Sequence, residues 1–309
     1  GEAPFGRPEV IAMSRETSEA TGKTYGLERV CRVLEFPRST IYAQRQAAKV
    51  VAIHPARRGP KSKVSESDLL AAIRADLTAS PFTGEGHRKV WARLRILRDL
   101  RVSRARVLRL MRENQLLSPH RRPQGGPVLH DGTITTDRPN EMWGTDGIRI
   151  ETVDEGWVWV FSAVDHCDAG CVGIHAVKIG NRFAALQPIS QGLQSEFGAT
   201  GADAGRGLTL RMDHGTQYTA DDFLNQVKFW GIAPSFAFVA EPQTNGVAER
   251  FNRTLKEQAI HGRIFRNVEE VRVAVTEFKE RYNRHWRLEK LGFMSPLEAR
   301  QAYAMQKAA

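Results

Sequence analysis

From Asn140 onward the sequence changes texture, and that change constrains the fold more than any other feature. Trp143 to Ile150 reads as a strand, Trp157 to Val164 as a buried second strand, and Cys171 to Val177 as an alternating third. A helix over Phe183–Phe197 follows, then a loop holding Gly198, Gly201, Gly205 and Gly207. Leu208–Met212 reads as a fourth strand, Asp222–Trp230 as a helix, and Ile232–Phe238 as a fifth strand. Two helices, Gly246–His261 and Val268–Tyr282, complete the pattern. Three strands in a row, then helix and strand by turns, predict an α/β fold: a mixed five-stranded sheet with flanking helices on both faces. Trp157 and Trp159, two apart, are expected on one sheet face in the core. The stretch from Trp157 to Val164 is the most apolar of the chain and falls far short of the roughly 20 residues a bilayer span needs.

Upstream the pattern is helical and basic. Leu27, Val30, Cys31 and Leu34 recur at helical spacing before Phe36-Pro37, and Ser39 opens a second helix, so residues 1–50 read as a helix-turn-helix. Residues 51–63 form a basic linker. Residues 64–118 read as a second helix-turn-helix DNA-binding domain of three helices, the last capped by Ser103 and studded with Arg104, Arg106, Arg109 and Arg112. A linker over 119–137 leads to the α/β domain over 138–285 and a tail over 286–309. The formal net charge is +10, and twelve Lys/Arg against three acids between Glu85 and Gly125 account for nearly all of it. That concentration points to a polyanionic partner, DNA above all, with those four arginines as expected contacts. Three cysteines and no basic-then-apolar leader fit a chain in the reducing cytosol.

Three acids stand where chemistry is expected. Asp146 lies inside the first strand, Asp213 directly after the fourth, and Glu249 near the start of a helix. Hard divalent cations prefer carboxylate oxygen, and acids from separate elements of a sheet can converge without being adjacent in sequence. At about 100° per residue, Val247, Phe251, Leu255 and Ala259 form an apolar stripe with Glu249 roughly opposite it. Arg253 and Lys256 share the side of Glu249, which suits a site for metal and nucleic-acid backbone.

Aromatic-x-x-Asp at Asp146, Asp213-x-Gly-x-x-Tyr218, and Pro242-Gln-x-Asn245-Gly-x-x-Glu249-Arg-Phe resemble the Asp-Asp-Glu core of transposases and retroviral-type integrases. Thirty-five residues lie between Asp213 and Glu249, the spacing of that superfamily, and Lys256 sits seven beyond the glutamate. Gly86-His87-Arg88-Lys89-Val90 and the run from Val107 to Leu117 look like the helix-turn-helix that precedes the core in bacterial insertion-sequence transposases. The tail from Tyr282 to Pro296 matches too. The resemblance covers roughly residues 64–300 and is closest to the insertion-sequence family numbered three, second-frame type.

It implies a ribonuclease-H-like core and two magnesium ions (manganese substituting) on Asp146, Asp213 and Glu249. The implied reaction is phosphodiester attack by water or a DNA 3′-hydroxyl without a covalent protein–DNA intermediate. By the same carry-over Asn245 and Lys256 position DNA near the metals, and the enzyme is a homo-oligomer on element ends and target DNA in the bacterial cytoplasm, at the nucleoid; Arg253, on the side of Glu249, is a further expected DNA contact. Where the family has Asp-x-x-Ser-Arg after the second strand, this chain has Asp165-His166-Cys167-Asp168-Ala169, which leaves the role of Asp165 open. A catalytically silent binder of element ends and a structure-specific nuclease on the same fold stay open as alternatives. His166, Cys167, Cys171 and His175 do not make a zinc site on this reading, because Cys171 and His175 sit about 13 Å apart along one strand at roughly 3.3 Å per residue.

Overall fold

A computed structural model of the chain describes residues 6–49, 63–118, 136–237 and 245–308. Most of both expected linkers, and Pro242, Gln243 and Thr244 of the third motif, lie outside the described residues. The chain divides into two compact units, residues 1–61 and 62–309.

In the first unit α1 (Arg7–Met13), α2 (Leu27–Val33) and α3 (Arg38–Lys49) close on a small core of Val10, Val30, Cys31 and Ile41. The second unit begins with α4 (Glu66–Ala79), α5 (His87–Arg98) and α6 (Arg104–Glu113). Ser65 and Ser103 cap α4 and α6 by accepting the amide N–H of Asp68 and Arg106. Leu69, Ile73, Val90, Leu94, Val107, Leu110 and Met111 form the core of this module. The buried Arg93 guanidinium crosses it, donating to both carboxylate oxygens of Asp76 and to Glu85.

The sheet comprises β1 (Met142–Thr152), β2 (Gly156–Asp165), β3 (Cys171–Val177), β4 (Thr209–Met212) and β5 (Ala233–Phe236), in the order β3-β2-β1-β4-β5. β1, β2 and β3 run antiparallel, joined by short turns, with Gly156 taking φ +68° at the first. β4 and β5 join parallel, which requires crossovers. α7 (Arg182–Phe197) and α8 (Asp221–Phe229) supply them and cover one face, around Trp143, Phe161, Ile189, Leu193 and Phe223. α9 (Gly246–Leu255) and α10 (Val268–His285) cover the other, around Ile148, Val160, Phe251, Phe278 and Tyr282. Gly173 lets α7 lie directly on β3: a Cβ there would stand 1.8 Å from the Pro188 carbonyl oxygen. The expected mixed five-stranded sheet with flanking helices, behind a three-helix module, is therefore the observed one.

Three details differ from the sequence reading. Trp157 is 56% exposed rather than core. It stands one residue past the β1–β2 turn, beyond the reach of α7, with the Arg149 guanidinium over its ring and over that of Trp159. The helix expected to run to His261 stays α-helical only to Leu255 and continues as a π turn over Lys256–Ile260. Residues beyond Trp286 return to the body of the unit through a short 3-10 turn (Glu289–Leu291) and α11 (Pro296–Ala308). From α11 the Arg300 guanidinium reaches Asp165, Asp168 and Glu196. Asp165 also accepts the amide N–H of Asn140 and Cys167. The acid in the atypical segment after β2 is thus a fully buried structural anchor.

The helix-turn-helix module docks on the sheet domain within this unit. Phe82 packs edge-on against Trp286, Trp91 against Phe293, and the Lys89 ammonium lies over the Trp286 ring. The Gln258 side chain, in the π turn, accepts the Thr83 amide N–H at 3.1 Å and donates to the Thr83 carbonyl at 2.9 Å.

Candidate active site

α9 lies across β1 and is stitched to it by two asparagines. The buried Asn245 donates to the Thr145 carbonyl at 3.0 Å. Seven residues on, the Asn252 amide donates to Asp146 Oδ2 at 2.9 Å. Seven residues are nearly two full helical turns, so both side chains share a face, and Glu249 falls between them on it. The apolar stripe on the far side, with Phe251 and Leu255, faces the core with α10.

Asp146 is half-buried in β1. Its Oδ1 accepts the Gly147 N–H at 2.7 Å. Asp213 follows β4 immediately and is exposed, with its Oδ1 accepting the Gly215 N–H at 2.8 Å in a tight turn. The motif tyrosine, Tyr218, is buried and packs edge-on against Phe161 and Phe223, so it anchors the Asp213 loop to the core. Burial pushes its phenol well above the ordinary range, and the charges of Asp146 and Asp213 push the same way.

Neighbouring acids bear on Asp146 and Glu249. Burial raises the Asp146 carboxyl above its usual range and the Asp213 charge adds to the rise, against the hydrogen bonds from Asn252 and Gly147 and the charge of Lys256. The Glu249 carboxyl is raised by burial first and then by Asp146 and Asp213, with Arg253 opposing. Among the described residues, no three acidic, histidine or cysteine side chains form a group that could hold a metal ion as they stand. The chemistry of the donors nevertheless fits a hard divalent cation: all are carboxylates, and the repulsion between them is what a bound cation removes.

The other predicted residues divide. Arg253 is exposed and Lys256 half-buried beside the acids. Asn245 spends its side chain on β1 rather than on the surface. On α6, Arg104 and Arg112 are exposed. Arg106 donates to the Val64 carbonyl, and Arg109 pairs with Glu66 and Glu113, so both are engaged inside the module. Arg88, Arg104 and Arg112 surround His87 and, with burial first, lower its pKa, while Glu289 opposes them. Two residues the sequence reading passed over are Asn252 and its partner Ser162, whose hydroxyl donates to Asn252 Oδ1 at 3.0 Å. Their signal was a lone serine in the apolar β2 and an amide one helical turn beyond Glu249.

Comparison with known proteins bears on this geometry. The model of a family described as an integrase core domain matches residues 230–296, which include Glu249, and that of an HTH-like domain matches residues 67–124. The transposase for insertion sequence element IS629 of Shigella sonnei is 25% identical over 289 residues, 90% of this chain and 93% of the relative. Transposase InsD for insertion element IS2 of Escherichia coli is 29% identical over 222 residues, 69% of this chain and 72% of the relative. The chain is thus similar to insertion-sequence transposases over most of its length. Among solved structures, the catalytic core domain of BIV integrase aligns with this chain at a TM-score of 0.40 and 20% identity, over 55% of this chain and 99% of that one.

Proposed function

We propose that the chain is a DNA transposase of the Asp-Asp-Glu type, cutting element ends and joining the 3′-hydroxyl to DNA. What supports this reading is that Asn245 and Asn252 hold α9, with Glu249, against β1 beside Asp146, and that the charge of Asp213 bears on both Asp146 and Glu249, in a chain similar to insertion-sequence transposases. These three carboxylates would hold divalent cations, magnesium with manganese as substitute. Bound there, the cations would polarise the phosphodiester and ease deprotonation of the attacking hydroxyl. The protein's part is placement. β1 and the Asp213 turn fix two acids through backbone N–H groups, and α9 brings the third on a helix stitched to β1. Arg253 and Lys256 offer positive charge beside the acids for the sugar–phosphate backbone.

The α4–α6 module would read or grip the element ends, and pairing of two ends calls for a homo-oligomer on DNA. No helix of the described residues is long and apolar enough to cross a membrane. The test is a strand-transfer assay with labelled DNA from the flanking termini, magnesium or manganese, and wild type beside Glu249→Gln. Joined product from wild type alone is the expected result. Equal cleavage by both proteins would refute the site, and binding without cleavage by either would refute the enzyme.

A further inference from the structure

The charge of a metal-binding carboxylate is useful only if its oxygens point one way, and β1 alone does not ensure that for Asp146. Its Oδ1 is held by the Gly147 N–H and its Oδ2 by the Asn252 amide. A terminal amide, however, turns easily, and its two ends are opposite in kind. An ionised carboxylate only accepts, so Asn252 must present its NH2 to Asp146. Its Oδ1 then points to Ser162, whose hydroxyl donates to it.

Ser162 is fully buried and pairs with Asp146 across the β1–β2 ladder, and the Ser162 carbonyl accepts the Thr145 hydroxyl at 2.9 Å. Asn252 is itself 3% exposed. The result is a closed chain, Ser162 hydroxyl to Asn252 amide to Asp146 carboxylate. It leaves each carboxylate oxygen a lone-pair direction away from its hydrogen-bond donor.

We propose that Asn252 and Ser162 are positioning residues for divalent-cation binding at Asp146: Ser162 locks the orientation of the Asn252 amide, and Asn252 locks the carboxylate. The proposal rests on the metal-ligand reading of Asp146 given above. Asn252 touches neither the reacting atoms nor the cation; it acts through Asp146. Nothing else in α9 needs an amide there: the neighbouring Phe251 and Leu255 already supply its packing on the core. Groups that orient a metal ligand contribute roughly 10–100-fold to affinity.

The test titrates the full chain with Mn2+ in the absence of DNA. Calorimetry gives the affinity, and thermal unfolding is followed with and without the ion. Wild type, Asn252→Ala, Ser162→Ala and Asp146→Asn are compared. The expected result is Mn2+ binding by wild type, loss of it in Asp146→Asn, about 10–100-fold weaker binding in Asn252→Ala, and a smaller loss in Ser162→Ala. Both positioning variants should gain less in Tm from Mn2+ than wild type does. A purely structural role would lower the metal-free Tm and leave the Mn2+ affinity and the Mn2+-induced gain unchanged, and that outcome overturns the proposal. Ser162→Ala, a one-atom deletion, keeps the question answerable if Asn252→Ala does not fold. Failure of wild type itself to bind Mn2+ would instead overturn the carboxylate assignment on which the proposal stands.

Discussion

Replacing Arg300 by methionine should destabilise the catalytic unit in a strongly pH-dependent way. The guanidinium stands 3.2 Å from Asp165, 2.7 Å from Asp168 and 2.5 Å from Glu196. The Asp165 and Asp168 side chains are 0% and 2% exposed, so methionine leaves two carboxylates shut in together without the cation that pairs with both, and only the more distant charge of the Lys290 ammonium beside them. Removing one partner of a buried ion pair costs about 3–5 kcal/mol, and the pair with Glu196, nearer the surface, adds little. At roughly 2–4 °C per kcal/mol for a unit of this size, the Tm falls by about 10 °C near neutral pH.

The pH dependence follows from Asp165. Burial, then the charge of Asp168, raise its carboxyl to about 6, while Arg300 pulls it back. Without Arg300 it rises further. A carboxyl raised above its unfolded value makes the folded state the better proton acceptor, so stability grows as pH falls through the folded pKa toward the unfolded one. The deficit of Arg300→Met is therefore largest at pH 8. By pH 5 it shrinks by about 1.4 kcal/mol for each unit the variant's carboxyl lies above the wild-type value. Urea unfolding followed by tryptophan fluorescence at the two pH values measures both. A deficit under about 1 kcal/mol at pH 8, or an equal deficit at both pH values, would refute the reasoning.

Glu289→Gln should tighten non-specific DNA binding, because Glu289 pairs with Arg88 at 2.7 Å and Arg104 at 3.7 Å on the basic face of the helix-turn-helix module. The plot of log affinity against log salt should steepen by up to about two units as both arginines become available to phosphate, at roughly 0.9 per contact. An unchanged slope in a fluorescence-anisotropy titration would count against that face as a DNA surface. Gly173→Ala should cost at least the roughly 3 kcal/mol at the top of the usual overpacking range, since its Cβ meets backbone rather than a movable side chain. Urea unfolding with less than about 1 kcal/mol of loss would show that α7 lifts from β3 at little cost.

The sheet was legible in the sequence because strand and helix leave different periods, and burial on both faces leaves apolar runs such as Trp157–Val164. The three candidate acids stand out in the sequence through the spacing of their motifs. What the sequence left out is partnership. Helical projection places Arg104, Arg106, Arg109 and Arg112 on one helix, and nothing in it tells that Arg109 is drawn to Glu66 while Arg112 faces solvent. It marks Asn252 as polar near Glu249 without naming Asp146 as its acceptor. Alternation cannot show where a covering helix stops, which is why Trp157 read as core. The π turn at Lys256 is invisible to a fixed angle of 100° per residue, since one widened turn shifts every residue after it.

The contact between Gln258 and Thr83 bears on how such a chain diverges. Gln258 recognises the main chain of residue 83, its N–H and its carbonyl, as a neighbouring strand would. Any residue but proline presents those two groups. The helix-turn-helix-like module can thus change residue 83 at this seam while the backbone hold on the helix that carries Glu249 stays the same. Phe82 and Trp286, whose rings meet edge-on at 4.8 Å, admit no such freedom, because their contact is made by the side chains themselves.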